Sequence, residues 1–303
     1  MGSPESGMRV VSLLPSATEI LFALGAGDDV VGVTFECDHP PQARTRRVVS
    51  TSALPEGLPP AEIDALVSAR MAAGEDLYHL DEGALRDLDA DLVVTQDLCA
   101  VCAVDVSVVD DALAYLGSRA DVLTLDPQDL GQVLNSVTLL GRAVGCEAAA
   151  VRLLAGLRTR LDAVATAVRD RPPVPTMVLE WTDPPFAPGH WVPEMVTTAG
   201  GTPVIGTAGK RSERITWQEV AASAPEVIVC APCGFDLAGS VPLAEAVVTS
   251  GRLPPGLPVW AVDANASFAR PGPRLVDGVE ALAAILHPDA GVPLDTRLAR
   301  RIA

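Results

Sequence analysis

The stretch from Pro127 to Asp170 constrains this chain most. It holds no strand pattern, and its apolar residues recur at helical spacing. Val133, Val137, Leu140 and Val144 form one set; Leu153, Leu157, Leu161, Val164 and Val168 form another. Gly141 and Gly145 are expected to divide the stretch into two helices. From Glu147 to Asp170 alone, a helix would be roughly 36 Å long, and Pro172, Pro173 and Pro175 end it. Strand-like runs alternate with helical patterns on either side. Such alternation implies mostly parallel sheets covered on both faces. The expectation is an α/β fold of two lobes joined by a long helix that acts as a semi-rigid strut. The N-terminal lobe would span 8–126, the connecting helices 127–171, the C-terminal lobe 172–290 and a tail 291–303.

In the first block, strands are expected at Met8–Leu14, Val30–Thr34, Arg47–Ser50, Asp91–Thr95 and Asp121–Leu125. Helices are expected after Pro15, after the Pro59-Pro60 pair and from Val108 to Leu116. In the second block, Thr176–Glu180, Glu226–Val229 and Val259–Val262 read as strands. Thr216 and Glu219 have capping-box spacing, and a closing helix runs from Gly272 to Leu286.

Five of the six cysteines lie just past strand ends: Cys37, Cys99, Cys102, Cys230 and Cys233. Loops at the carboxyl ends of strands are where such folds place ligand chemistry. Cys99 and Cys102 form one C-x-x-C pair, Cys230 and Cys233 a second, and His39 lies two residues from Cys37. Thiolates with histidine suit zinc or iron–sulfur clusters, a close dithiol suits redox chemistry, and separate reduced thiols suit packing. Cys37, His39, Cys99, Cys102 and Cys233 are the candidate metal ligands, with Cys230 as a substitute. Cys146 reads as a small buried hydrophobe, and His79 and His287 as surface residues.

The formal net charge of −17 argues against nucleic acid and anionic membrane surfaces, which require clustered Lys and Arg. No apolar run approaches the roughly 20 residues of a membrane span. Residues 1–7 lack the basic and apolar regions of a secretory signal, so a cytoplasmic location is expected.

Several motifs make the chain resemble the vitamin B12-binding periplasmic proteins, within the helical-backbone class of ABC-transporter substrate-binding proteins. They are Val11-Ser-Leu-Leu-Pro-Ser-Ala-Thr-Glu-Ile-Leu-Phe-Ala-Leu-Gly25, Val31-Gly-Val with Asp38-His-Pro-Pro41, Pro184-Pro-Phe with Gly189, Val196 with Gly200-Gly201, and Arg270-Pro-Gly-Pro-Arg274. The match runs from Met8 to about His287. It is similar in particular to a soluble cobalamin-binding subgroup, through Glu36-Cys-Asp-His-Pro40, Gln96-Asp-Leu-Cys-Ala-Val-Cys102, His190-Trp-Val-Pro-Glu-Met195 and Pro232-Cys-Gly-Phe235. The resemblance implies two Rossmann-like lobes with a ligand cleft between them. Where secreted B12 binders carry aromatics on first-lobe loops, this chain offers Glu36, Cys37 and His39, then Gln96, Cys99 and Cys102.

On that architecture, Glu36, Gln96, Trp181, His190, Trp191, Glu194, Phe235, Asn265, Phe268 and Arg270 are the expected ligand-binding residues. Glu36, His190 and Glu194 are the candidates for acid–base chemistry. The first expectation is a cytosolic, non-transport binding protein for cobalamin or a related tetrapyrrole or metal cofactor. The alternative is a cytosolic metalloenzyme, with a cysteine-ligated iron–sulfur cluster or zinc and a small substrate held by Trp181, His190, Trp191 and Glu194. A permease partner has no local signature in the sequence.

Overall fold

The computed structural model describes residues 7–55, 57–96, 109, 112–113 and 119–303. The chain divides into two compact units, Met1–Asp126 with Asn135–Leu153, and Pro127–Leu134 with Leu154–Ala303. The expected helix at Val108–Leu116 lies largely outside the described residues.

The first unit is built on a six-stranded sheet. Its strands are β1 (Val10–Ser12), β2 (Val30–Thr34), β3 (Arg47–Ser52), β4 (Tyr78–Leu80), β5 (Leu92–Thr95) and β6 (Asp121–Thr124), in the order β4-β3-β2-β1-β5-β6. All neighbours pair parallel except β3 with β4. Central β1 is buried along its whole length, as a strand covered on both faces must be. Helices α1 (Pro15–Ala23), α2 (Pro60–Ala73) and α3 (Glu82–Arg86) connect the strands. Gly32 in β2 is closely packed: a Cβ there would lie 2.7 Å from Leu88 Cδ1 and would push that side chain aside. The core gathers Val11, Leu13, Val49, Leu77, Leu85, Leu88 and Val93.

The middle stretch forms two helices, α4 (Leu130–Ala143) and α5 (Glu147–Val168). Gly145, at φ 66°, stops the first. Cys146 N–H donates to Gly141 O and Gly145 N–H to Arg142 O, the paired bonds of a Schellman C-cap. Gly141 has a different task from the break expected of it. It stays inside α4, where a Cβ would lie 2.6 Å from Ala150 Cβ, so its bareness lets α5 pack close. Cys146 is half-buried.

The second unit holds a five-stranded sheet of β7 (Val174–Leu179), β10 (Gly201–Pro203), β11 (Val227–Cys230), β12 (Val259–Val262) and β13 (Ala299–Arg301), ordered β10-β7-β11-β12-β13. Only β12 with β13 is antiparallel. Residues 291–303, read from sequence as a tail, thus supply an edge strand. The short ribbon β8 (Trp181–Thr182) and β9 (Pro185–Phe186) rises from the end of β7. Around these lie α6 (Val192–Thr198), α7 (Trp217–Ala222), α8 (Leu237–Thr249), α9 (Ala264–Ser267) and α10 (Leu275–Leu286). The capping box at α7 forms as expected, with Glu219 N–H on the Thr216 hydroxyl and Thr216 N–H on the Glu219 carboxylate.

Candidate functional site

The strand ends of the first unit carry a row of buried hydroxyls. Ser50 Oγ donates to Thr34 Oγ1 at 2.8 Å. Thr18 Oγ1, in α1, lies 2.9 Å from Ser12 Oγ and 3.0 Å from Cys37 Sγ. Cys37 is only 3% exposed, which places this thiol in a hydroxyl cluster below the loop, whereas His39 is exposed. Gln96 is buried at the end of β5. Glu36 is half-buried, and Tyr78 donates its phenolic proton to Glu36 Oε2 at 3.4 Å. Beside it, Phe35 is 42% exposed, with its ring 6.1 Å from that of Tyr78. The first-unit loop therefore keeps an open aromatic. Sequence reasoning passed over Phe35 because it directly continues the run of β2.

The second unit brings three strand-end loops together. Trp181 follows β7, Phe235 follows β11 and Asn265 follows β12. The Trp181 and Phe235 rings are 5.8 Å apart and tilted by 55°; both residues are half-buried. Trp181 Nε1–H donates to Asp183 O, which fixes the indole. Asn265 N–H donates to Phe235 O at 3.1 Å, and Cys233 N–H to Glu180 O at 3.1 Å. Cys233 is exposed on this rim, while Cys230 is 0% exposed. Burial pushes the Cys230 thiol up to about 12, so it stays neutral and packs as a core residue against Ile228, Ala244 and Val259. The cap of α9 is Asp263, which accepts from Ala266 N–H; Asn265 and Ser267 lie inside that helix. Burial raises the Asp263 pKa; the Ala266 bond opposes the shift, the Asp236 carboxylate adds to it, and Arg274 opposes it. Arg270, half-buried, precedes the closing helix.

His190 sits at φ 47°, the left-handed region that histidine enters more readily than most residues. Its N–H donates to Lys210 O at 2.6 Å, and its C=O accepts from Gly209 N–H. The ring nitrogen Nε2 is buried with no hydrogen-bond partner among the described residues. Burial, and then Arg211, lower its pKa, so the imidazole is neutral at neutral pH. Lys210, on the opposing segment, is exposed and is the only lysine in the chain.

Three residues expected at the site, Trp191, Phe268 and Glu194, hold structure, and so does His287. Trp191, 6% exposed, donates Nε1–H to Phe268 O at 2.8 Å, and Phe268 is 2% exposed. These aromatics fill the core beneath the loop and do not form its open wall, because an indole buried with its N–H satisfied is stable where it is. Glu194 Oε2 accepts from Leu130 N–H at 2.7 Å, which places a carboxylate at the positive end of α4. His287, expected at the surface, is 6% exposed and donates Nε2–H to Gly200 O at 3.0 Å. His79 is exposed.

Cys99 and Cys102 lie outside the described residues. Among the described residues, no three His, Cys, Asp or Glu side chains are grouped so as to hold a metal ion. No helix among them is long and apolar enough to cross a membrane.

Two α/β units, each with a predominantly parallel sheet and with aromatic and polar side chains on its strand-end loops, define the class of two-lobe ligand-binding proteins. The chain belongs to the periplasmic binding protein family, whose model matches residues 10–247. It is similar to YvrC of Bacillus subtilis (strain 168), an uncharacterized ABC transporter substrate-binding lipoprotein. That relative is 25% identical over 293 residues, which cover 93% of this chain and 80% of the relative. A periplasmic heme-binding protein from Pseudomonas aeruginosa shares the fold at a TM-score of 0.71 and 21% identity, over 98% of both chains. The periplasmic vitamin B12-binding protein BtuF of Vibrio cholerae shares it at a TM-score of 0.61 and 21% identity, over 92% of this chain and 96% of that one. The resemblance read from the motifs therefore stands. The expected cytoplasmic location does not: the relatives are periplasmic proteins or a lipoprotein, which points outside the cytoplasm.

Proposed function

We propose that this chain is the substrate-binding protein of an ABC transporter and that it takes a tetrapyrrole, cobalamin or heme, on its strand-end loops. The observation that carries this is the half-buried Trp181–Phe235 pair, with rings 5.8 Å apart at the ends of β7 and β11. A large flat macrocycle needs rigid aromatic surface held in place before binding, and Trp181 is so held through Asp183. Phe35 gives the first unit a further open ring. Relatives whose names record vitamin B12 or heme as ligand support the same class. A permease is the partner that the ABC-transporter relative supports.

The test is quenching of tryptophan fluorescence by cyanocobalamin and, separately, by hemin. One of the two is expected to saturate at roughly micromolar concentration, and Trp181→Ala to weaken it by about tenfold, the scale of an aromatic anchor. Absence of saturation with both ligands sinks the reading. The metalloenzyme alternative has no metal-holding group behind it among the described residues.

A further inference from the structure

Two short antiparallel contacts widen the ribbon at the end of β7. Trp181 of β8 pairs with Phe186 of β9, and Phe186 pairs in turn with Arg214 on the facing segment. Two hydrogen bonds flank the second contact, Ala187 N–H to Glu213 O at 2.8 Å and Ile215 N–H to Pro185 O at 2.9 Å. Bonds so placed mark the kind of antiparallel pair whose side chains lie closest together.

Residues directly opposite in such a ribbon project from one face, and their neighbours in sequence from the other. Burial agrees with both halves of that rule. Thr182 is 5% exposed, its partner Pro185 is buried, and Ile215 packs against the second-unit core. On the other face Trp181 and Phe186 are half-buried and Arg214 is exposed. Trp181, Phe186 and Arg214 therefore form one outward row. The Phe235 ring, 5.8 Å from that of Trp181, extends it at one end. At the other, the Arg214 guanidinium carbon lies 5.7 Å from the centre of the Phe186 ring, within the range of a cation–π contact. A guanidinium laid over a ring still donates from its edges, in the forked geometry that fits a carboxylate or a phosphate.

The charge of the facing segment has the same sign. Its ionisable residues are Lys210, Arg211 and Arg214 against Glu213, in a chain whose formal net charge is −17. Such a local excess of cations attracts anions that the rest of the chain repels.

We propose that this row is a specificity subsite: Phe235, Trp181 and Phe186 take the flat body of the ligand, and Arg214 takes an anionic substituent at its edge. The identity of the flat body rests on the tetrapyrrole reading; the demand for an anion beside it does not. That anion is a carboxylate in hemin and a phosphodiester in cyanocobalamin.

The test compares ligands with and without the anionic group, bound to the full chain as wild type and as Arg214→Met and read by tryptophan quenching. The methionine keeps an unbranched side chain over Phe186 and removes the charge. Hemin with its dimethyl ester tests the carboxylate, and cyanocobalamin with dicyanocobinamide, which lacks the phosphodiester, tests the phosphate. Pyrenesulfonate with uncharged pyrenemethanol tests a flat anion that is no tetrapyrrole. In the wild type the anionic member of one macrocycle pair, and pyrenesulfonate, should bind about tenfold more tightly than the uncharged member, as a hydrogen bond to a charged group allows. Arg214→Met should erase that preference by weakening the anionic member alone. The preference should also shrink roughly threefold between about 0.05 and 0.5 M sodium chloride. Equal affinity of wild type for both members of every pair overturns the subsite. Equal weakening of both members in Arg214→Met overturns it too, since a residue that only supports the aromatic platform gives that result. If pyrenesulfonate shows the preference and no macrocycle binds, the subsite stands and the tetrapyrrole reading falls.

Discussion

Replacing Glu180 by glutamine should stabilise the protein, and by an amount that depends on pH. In the fold the carboxyl titrates at about 7 against an ordinary value of 4.5. A carboxyl whose folded pKa is raised binds a proton in the folded state that the unfolded chain has already released. Stability then falls as pH rises between those two values and is level above the upper one. A shift of about 2.5 units corresponds to about 3 kcal/mol at 1.36 kcal/mol per unit. Because residue 180 retains some exposure, water screening lowers the expected effect to about 1–2 kcal/mol. The assay is urea unfolding of wild type and Glu180→Gln at about pH 4.5 and about pH 8, read as the difference in stability between the two proteins. Taking that difference cancels every other titrating group. The gap should be near zero in acid and favour the glutamine by about 1–2 kcal/mol in base. A gap of the same size at both pH values would refute the reasoning, since a packing effect carries no proton.

Three further outcomes follow from the packing. Trp191→Phe should cost about 1–2 kcal/mol, because it leaves the buried Phe268 carbonyl without its donor; a thermal melt measures it. Gly200→Ala should cost about 2–4 kcal/mol, since φ is 83° and the new Cβ would meet His287 Nε2 at 2.6 Å and Val168 Cβ at 2.9 Å. Iodoacetamide at about pH 8 should modify the exposed Cys233 in the native protein and reach Cys230 only after unfolding, as peptide mapping would show.

Long periodic segments were legible in the sequence because burial there follows the pattern. Val30–Thr34 is a strand over its whole expected length, and the Thr216 capping box is a local device that needs no tertiary context. The elements that escaped are short or disguised. Tyr78–Leu80 has three residues at a sheet edge, and Ala299–Arg301 hides its pairing behind two arginines that an exposed edge tolerates. The site was harder to read, since a strand-end position does not say whether a side chain points outward or under the loop. Trp191 and Phe268 went under, Trp181 and Phe235 stayed at the rim, and nothing in their spacing separates the two cases. Glu180 went unnoticed because a glutamate closing a strand reads as solvated; only the Gly189 amide beside it shows otherwise. His287 was placed at the surface because its partner, the bare Gly200 backbone, leaves no side-chain signal.

The solitary lysine has a practical use. Amine-reactive dyes have one ε-amino group to find, at Lys210, on the segment whose backbone bonds to His190. A fluorophore attached there would report on the aromatic loop from across a hydrogen bond, with no substitution introduced.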